Sequence, residues 1–148
     1  MANGLYNTAK KMIMDGSLNL ANDTIKVMLI GSGYTFNPDH DYVSSVSSYE
    51  LNGTGYTGGF GGSGRKALTN KSVTADKTND KAVFDADDVT WSAINAGTVY
   101  AAILIKEVSS DSNSILIGYI DSGTGFPKTT NGGDLTIQWS SDGIITLS

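Results

Sequence analysis

The sequence predicts a mainly β domain, an antiparallel β-sandwich or barrel-like fold with a short N-terminal helix. Its last third contains three runs rich in Ile, Val, Tyr and Trp, in residues 98–106, 115–121 and 134–148, each bounded by Ser, Asn, Asp or Gly. This composition is typical of strands, and turn signals about every 8–12 residues are typical of sandwiches. The length of 148 residues predicts a single domain, residues 1–148.

A short amphipathic helix is predicted in residues 4–14. Leu5, Ala9, Met12 and Ile13 occupy positions i, i+4, i+7 and i+8, which form one stripe along a helix. An Asp-Gly pair follows and can end the helix. Because so short a helix is marginal alone, its stripe should pack on a sheet or on a neighbouring subunit. Leu5, Met12 and Ile13 are therefore candidate interface residues.

Alternating apolar and polar side chains predict the strands before the C-terminal third. Residues 24–30 form a strand with one apolar face, and residues 65–74 form another. Residues 81–91 form one strand, or two broken by the acidic segment 85–88. Adjacent residues of a strand face opposite sides, so Val83 and Phe84 cannot both enter the core. The predicted core consists of Ile25, Val27, Leu29, Val83, Phe84, Trp91, Ile103, Ile105, Leu116, Ile137 and Trp139.

Residues 31–64 differ from the rest because Gly, Ser, Asn and Asp replace aliphatic side chains. Helical spacing of aromatic and valine side chains predicts a helical turn within residues 38–49. The glycine-rich residues 53–64 predict a long flexible or extended loop, which is uncommon unless the loop binds something. We expect residues 31–64, together with residues 2–14, to carry most contacts with partners. The aromatic candidates for this interface are Tyr34, Tyr42, Tyr49, Tyr56 and Phe60.

Composition argues against several classes of function. The net charge of −5 disfavours nucleic-acid binding, which needs a basic surface. The absence of cysteine excludes disulfides, thiolate metal sites and cysteine nucleophiles. The N-terminus lacks the pattern of a signal peptide, and the longest apolar run is too short to span a membrane. We expect a soluble protein made in a cytoplasm, with neither nucleic acid nor membrane as a partner.

Three motifs could carry chemistry, and each has a simpler explanation. Residues 53–58 spell G-x-G-x-x-G, but a dinucleotide site needs this motif between a strand and a helix. His40 lies between two aspartates without the partners of a catalytic triad, which is typical of a polar turn. The acidic residues 85–88 lack the glycine and glutamate of a calcium-binding loop. We expect no catalytic residue, no cofactor and no metal ion.

Four segments carry a resemblance to a known family: DTIKVMLI (23–30), AVFDADDVTWS (82–92), LIGYID (116–121) and DLTIQW (134–139). In this order they resemble small structural proteins of tailed bacteriophages, typically found among head genes. The resemblance spans residues 5–145 and implies a virion component made in the host bacterial cytoplasm. Its implied role is a non-enzymatic capsid decoration or cement protein on the head surface, which binds the major capsid protein as a homotrimer.

Two alternatives remain open. The protein could be a tail, neck or baseplate component, since copy number and symmetry are not encoded visibly in one sequence. It could also be a β domain that binds host glycans, because exposed tyrosines can stack on sugar rings. The candidates for such stacking are Tyr34, Tyr42, Tyr49 and Tyr56.

Overall fold

The computed structural model describes residues 4–122 and 125–148 and confirms the mainly β fold with one short N-terminal helix. Within these residues lie the helix α1 (Asn7–Asp15) and two 3₁₀ turns (Val43–Ser45 and Ser47–Tyr49). The strands are β1 (Gly4–Leu5), β2 (Lys26–Ile30), β3 (Lys66–Ala67), β4 (Ser72–Asp76), β5 (Lys81–Asp85), β6 (Val89–Trp91), β7 (Thr98–Val99), β8 (Ala101–Val108), β9 (Ser110–Ile120), β10 (Lys128–Thr129), β11 (Leu135–Ile137) and β12 (Ile145–Leu147).

A five-stranded antiparallel sheet in the order β1-β9-β8-β2-β3 is the framework of the fold. The long hairpin of β8 and β9 lies at its centre. The remaining strands form three smaller antiparallel sheets, in the orders β12-β5-β4, β11-β6 and β10-β7. The smaller sheets contribute side chains to one face of the large sheet, which gives a sandwich-like arrangement.

Both faces of the five-stranded sheet are buried. One face contributes Val27, Leu29 and Leu104 to the main core, where Trp91 and Ile137 arrive from the smaller sheets. The opposite face forms a second buried cluster. Tyr6, which precedes α1, and the two 3₁₀ turns cover this face of the sheet. The members of the cluster include Met28, Ile30, Val43, Val46, Ile103, Ile105 and Leu116. Burial on two sides explains why β2 and β8 read as nearly continuous apolar runs.

A β-bulge in β9 keeps its side chains on the correct faces. Ile105 pairs with Leu116 and Leu104 pairs with Gly118, so Ile117 is the extra residue. A bulge places two residues opposite one and shifts the alternation of the strand. As a result, Leu116 and Tyr119 both join the second cluster, although a regular strand would put them on opposite faces.

The predicted core residues are buried, with the exception of Val83. The alternation of side chains along a strand anticipated this exception. Phe84 is buried, whereas its neighbour Val83 is half-buried. The predicted strand at residues 65–74 is wrong, because only Lys66–Ala67 and Ser72–Asp76 are strands. Asn70 lies between them with a φ of 52°, a left-handed backbone that interrupts an extended strand.

The helix starts later than predicted. Residues 4 and 5 form β1, which pairs with β9, so Leu5 reaches the core from a strand and not from the helix stripe. The predicted end is confirmed, because α1 stops at Asp15 and Gly16 follows with a φ of 81°. Glycine adopts this left-handed conformation without the clash of a side chain.

Candidate functional site

The predicted interface residues of the N-terminal segment pack on the domain itself. Leu5, Met12 and Ile13 are half-buried against the main core, so the stripe finds its apolar partner within the same chain. Positions 2 and 3 of the predicted contact segment lie outside the described residues. The candidate interaction surface is therefore built from the other predicted region, residues 31–64.

An aromatic cluster anchors the first part of this region to the sheet. The ring of Tyr34 lies 5.4 Å from Tyr49 and 5.8 Å from His40, and it also lies 5.9 Å from Tyr119 in β9. The Tyr34 hydroxyl is 3.0 Å from the Tyr6 hydroxyl and 3.1 Å from His40 Nδ1. Tyr34 is half-buried as a result, while Tyr49 remains 36% exposed.

Burial raises the pKa of two phenols in this cluster, Tyr6 and Tyr119. Burial, and then the hydrogen bond with Tyr34, raise the pKa of Tyr6 well above its usual value. Burial also raises the pKa of Tyr119 to about 12, and the negative charge of Asp121 adds to this shift. Both phenols therefore stay neutral at physiological pH and act as hydrogen-bonding and packing groups.

The carboxylates beside His40 hold the helix α1. Asp39 Oδ1 accepts a hydrogen bond from Asn7 Nδ2 at 2.7 Å, and Asp41 Oδ1 accepts one from the Thr8 hydroxyl. The backbone turns at the same place, because the His40 N–H donates a hydrogen bond to Asn37 O at 3.1 Å. This geometry accords with the polar turn that the sequence indicated.

Tyr56 corrects the sequence-based expectation, because this predicted contact residue is fully buried. Its hydroxyl accepts a hydrogen bond from the Leu29 N–H at 3.0 Å and donates one to Glu50 Oε2 at 2.7 Å. Burial, and then the charge of Glu50, raise the pKa of Tyr56 well above its usual value. The ring therefore fastens the glycine-rich loop to β2 and is not available to a partner.

The glycine-rich loop is folded into hydrogen-bonded turns, so the prediction of an extended loop is wrong. Gly62 N–H donates to Gly59 O at 3.1 Å, and Gly64 N–H donates to Thr57 O at 2.9 Å. A side chain on Gly62 would collide with the backbone oxygen of Thr57. Glycine thus serves close packing here, and the loop leaves Phe60 with 48% of its surface exposed.

A buried ion cluster that the sequence did not reveal holds the ends of this loop. The Arg65 side chain is only 1% exposed. Its Nε and one terminal nitrogen bind Glu50 at 2.9 and 2.8 Å. The terminal nitrogens also bind Glu107 at 2.9 Å and Asp111 at 2.8 and 3.3 Å. All five N–H donors of the guanidinium are therefore used.

The cluster joins elements that are distant in sequence. Glu50 follows the second 3₁₀ turn, Glu107 is in β8 and Asp111 is in β9. The Glu50 carboxylate, 3% exposed, also accepts the Gly59 N–H at 2.9 Å. Spacings of 15, 42 and 46 residues along the chain leave no motif that a sequence could display.

Hydrogen bonds and charges within the cluster favour the ionised forms of Arg65 and Glu107. Burial alone would lower the pKa of Arg65, but its hydrogen bonds to Glu50 and Asp111 outweigh this effect and raise it. Burial likewise opposes ionisation of Glu107, but hydrogen bonds from Lys26, at 2.8 Å, and from Arg65 lower its pKa overall. Three carboxylates and two cations thus stabilise one another inside a low-dielectric site.

We expect the free energy of unfolding to fall as the pH drops below about 4.5, the usual pKa of the Glu107 carboxyl. Its folded pKa is lowered, so its contribution is fully present above the unfolded value and is lost as the pH falls through the folded value. Urea unfolding between pH 7 and pH 3 measures this dependence. Glu107→Gln should flatten the profile, and an unchanged slope would contradict the assignment.

The acidic residues 85–88 also have structural partners. Asp88 Oδ1 accepts a hydrogen bond from the Trp139 N–H at 3.0 Å. Asp87 Oδ2 accepts one from Asn70 Nδ2 at 2.5 Å. Asp85 Oδ1 accepts the Ala86 N–H at 2.9 Å. Among residues 4–122 and 125–148, no group of three or more His, Asp or Glu side chains is arranged to hold a metal ion.

No protein-family model matches the chain, and no curated protein sequence matches it. Within the part of the chain that the structure describes, no helix has the length and apolar character needed to cross a membrane.

Proposed function

We propose that the chain is a non-enzymatic structural protein of a tailed-bacteriophage particle, which decorates the head by binding the major capsid protein as a symmetric oligomer. The sequence resemblance suggests the virion. The observation that carries the binding role is the ordered surface of residues 31–64, from which Tyr42, Tyr49 and Phe60 project with 42%, 36% and 48% of their surface exposed.

The order of this surface favours binding. Tyr49 is held by the ring of Tyr34, and the backbone next to Phe60 is held by Glu50. A surface that is already ordered loses little conformational entropy when it meets a partner. Aromatic side chains supply large contact areas with few rotatable bonds. Modest contacts of this kind become strong when many symmetric copies bind one shell.

Copy number in purified particles tests the proposal. Particles of the phage that encodes the chain would be analysed by quantitative mass spectrometry, with the major capsid protein as the internal reference. A copy number comparable with that of the capsid protein is expected for a head decoration. A number of about six or twelve, as the rotational symmetry of a tail or neck requires, would contradict it.

Glycan binding is the second candidate because the exposed ring of Tyr49 lies beside Tyr34, which in turn stacks on His40. A glycan array probed with the wild-type protein and with Tyr49→Ala distinguishes this function from assembly. Binding to a sugar class that Tyr49→Ala abolishes would favour it over decoration. Tyr100→Ala is the matched control, since Tyr100 is 44% exposed and lies outside residues 31–64.

A further inference from the structure

Two edge strands line one cleft. The cleft has a volume of about 550 Å³ and lies between β1 and β12, which end two different sheets. β1 pairs with β9 on one side, and β12 pairs with β5 on one side. The N–H and C=O groups on the outer side of an edge strand form a template for another chain. An extended polypeptide is the class of ligand that can use both edges.

The size of the cleft suits a short strand. Strands lie about 4.8 Å apart, sheets lie about 10 Å apart and each extended residue advances about 3.3 Å, so one residue fills roughly 160 Å³. A cleft of about 550 Å³ therefore holds roughly three residues. This matches the length of β12, which is Ile145–Leu147.

Gly118 lines the cleft, and the fold itself does not require a glycine there. It is buried in β9, where it pairs with Leu5 of β1 and Leu104 of β8, and its backbone is not left-handed. A Cβ atom on Gly118 would lie 3.7 Å from Gly4 O and from Leu5 Cδ2, which is ordinary contact. Glycine inside a strand often marks the close approach of another backbone. The missing side chain leaves room for an incoming strand.

The cleft also contains unpaired positive charge. Of the described residues that line it, the charged ones are Lys10, Lys81 and Asp142. No carboxylate in the described ranges, 4–122 and 125–148, forms an ion pair with either lysine. Lys10 Nζ instead donates to the neutral Asn7 Oδ1 at 3.3 Å. In a chain with a net charge of −5, these two ammonium groups form a local surface that is complementary to carboxylates.

We propose that the β1–β12 cleft binds an extended acidic segment of another protein, which adds as a strand between the two edges. Main-chain hydrogen bonds to the edges supply affinity, and Lys10 and Lys81 select acidic side chains. Leu5 and Leu147 offer apolar contact on the same surface. The inference goes beyond the proposed function, because the cleft is lined by residues outside 31–64.

Isothermal titration calorimetry with synthetic peptides tests the proposal. The probe is the acetylated and amidated peptide Thr-Val-Glu-Val-Glu-Val-Thr, in which glutamates and valines face opposite sides of a strand. Matched controls replace both glutamates with glutamine or with lysine. The acidic peptide is expected to bind with a dissociation constant below about 1 mM, the glutamine peptide more weakly and the lysine peptide most weakly. Added salt should weaken the acidic peptide, because salt screens exposed charges.

Two changes to the cleft separate its shape from its charge. Gly118→Val fills space where the strand should lie, so it is expected to raise the dissociation constant at least tenfold. It should not lower the melting temperature, because valine favours strands. The double variant Lys10→Glu, Lys81→Glu should bind the lysine peptide in preference to the acidic one. Lys11→Glu with Lys128→Glu is the matched control, because these exposed lysines do not line the cleft, and it should bind like the wild type.

Several results would overturn the proposal. They are an acidic peptide that does not bind at up to about 1 mM, three peptides that bind alike, and a Gly118→Val variant that binds like the wild type. Self-association that Gly118→Val abolishes, measured by sedimentation equilibrium, would make a second copy the occupant and would also overturn it. So would peptide binding that appears only after residues 1–3 are removed, because the chain's own N-terminus would then occupy the cleft.

Discussion

Replacing Arg65 with methionine is expected to lower the free energy of unfolding by about 3–5 kcal/mol, the usual cost of removing one partner from a buried ion pair. The substitution retains most of the side-chain volume but removes the positive charge and all five hydrogen bonds. Glu50, at 3% exposure, would remain buried without a counterion. Urea unfolding followed by far-UV circular dichroism at pH 7 measures the loss.

A matched pair of controls separates burial from charge. Lys11 and Asp15 form an exposed i,i+4 pair at 3.2 Å, with 77% and 42% of the side chains exposed. Lys11→Ala should therefore have little effect on the free energy of unfolding, because solvent screens an exposed ion pair. Arg65→Lys keeps the charge but cannot bind two carboxylates with a planar fork, so an intermediate loss is expected. If Arg65→Met cost no more than Lys11→Ala, the ion cluster would not stabilise the fold.

A second substitution should recover part of the loss. In the Arg65→Met background, Glu50→Gln removes the uncompensated buried carboxylate while keeping a side chain that accepts hydrogen bonds. The double variant should then be more stable than Arg65→Met alone, although Glu50→Gln is expected to destabilise the wild-type protein, in which Glu50 binds Arg65. Such opposite effects in two backgrounds are the signature of direct coupling between the residues.

The fold was predictable because its signals are local. Ile25, Val27 and Leu29 alternate with other side chains in the printed sequence, and each is buried in the main core. The helix end at Gly16 was likewise marked by a residue that tolerates a left-handed backbone. At residues 65–74 the alternation of side chains predicted one strand, and this was wrong. The left-handed backbone of Asn70 divides the segment into two short strands, which belong to different sheets.

The interaction surface was only partly predictable because its order depends on contacts between distant residues. Glycine content suggested flexibility at residues 53–64, but Tyr56 and Glu50 fix this loop through hydrogen bonds that no periodicity reveals. Tyr56 was expected at the surface because it lies in the glycine-rich segment. Its hydroxyl finds two partners in the interior, so the whole residue is buried without an unsatisfied polar atom.

The same loop connects the ion cluster to the main core. A substitution that destabilises the packing of one should therefore also destabilise the other. Gly64 precedes Arg65 in the sequence, and its carbonyl oxygen accepts a hydrogen bond from Trp91 Nε1 at 2.6 Å. The Trp91 ring lies 6.4 Å from the ring of Tyr56, which binds Glu50. One indole thus packs in the core and also positions the end of the glycine-rich loop.

Trp91→Ala is accordingly expected to lower the free energy of unfolding by about 3–5 kcal/mol, because Trp91 is fully buried and its removal opens a large cavity in the main core. Trp91→Phe fills most of that space but leaves the Gly64 carbonyl unpaired, so a smaller loss of about 1–3 kcal/mol is expected.

Trp139→Ala is the comparison outside the loop, since Trp139 is 7% exposed and donates a hydrogen bond to Asp87 O at 2.9 Å. Hydrogen exchange should then show faster exchange of the Gly59 and Gly64 amides in Trp91→Ala than in Trp139→Ala at equal stability. A loss below about 1 kcal/mol for both alanine variants, well under the cost of a buried tryptophan, would mean that the core lies elsewhere.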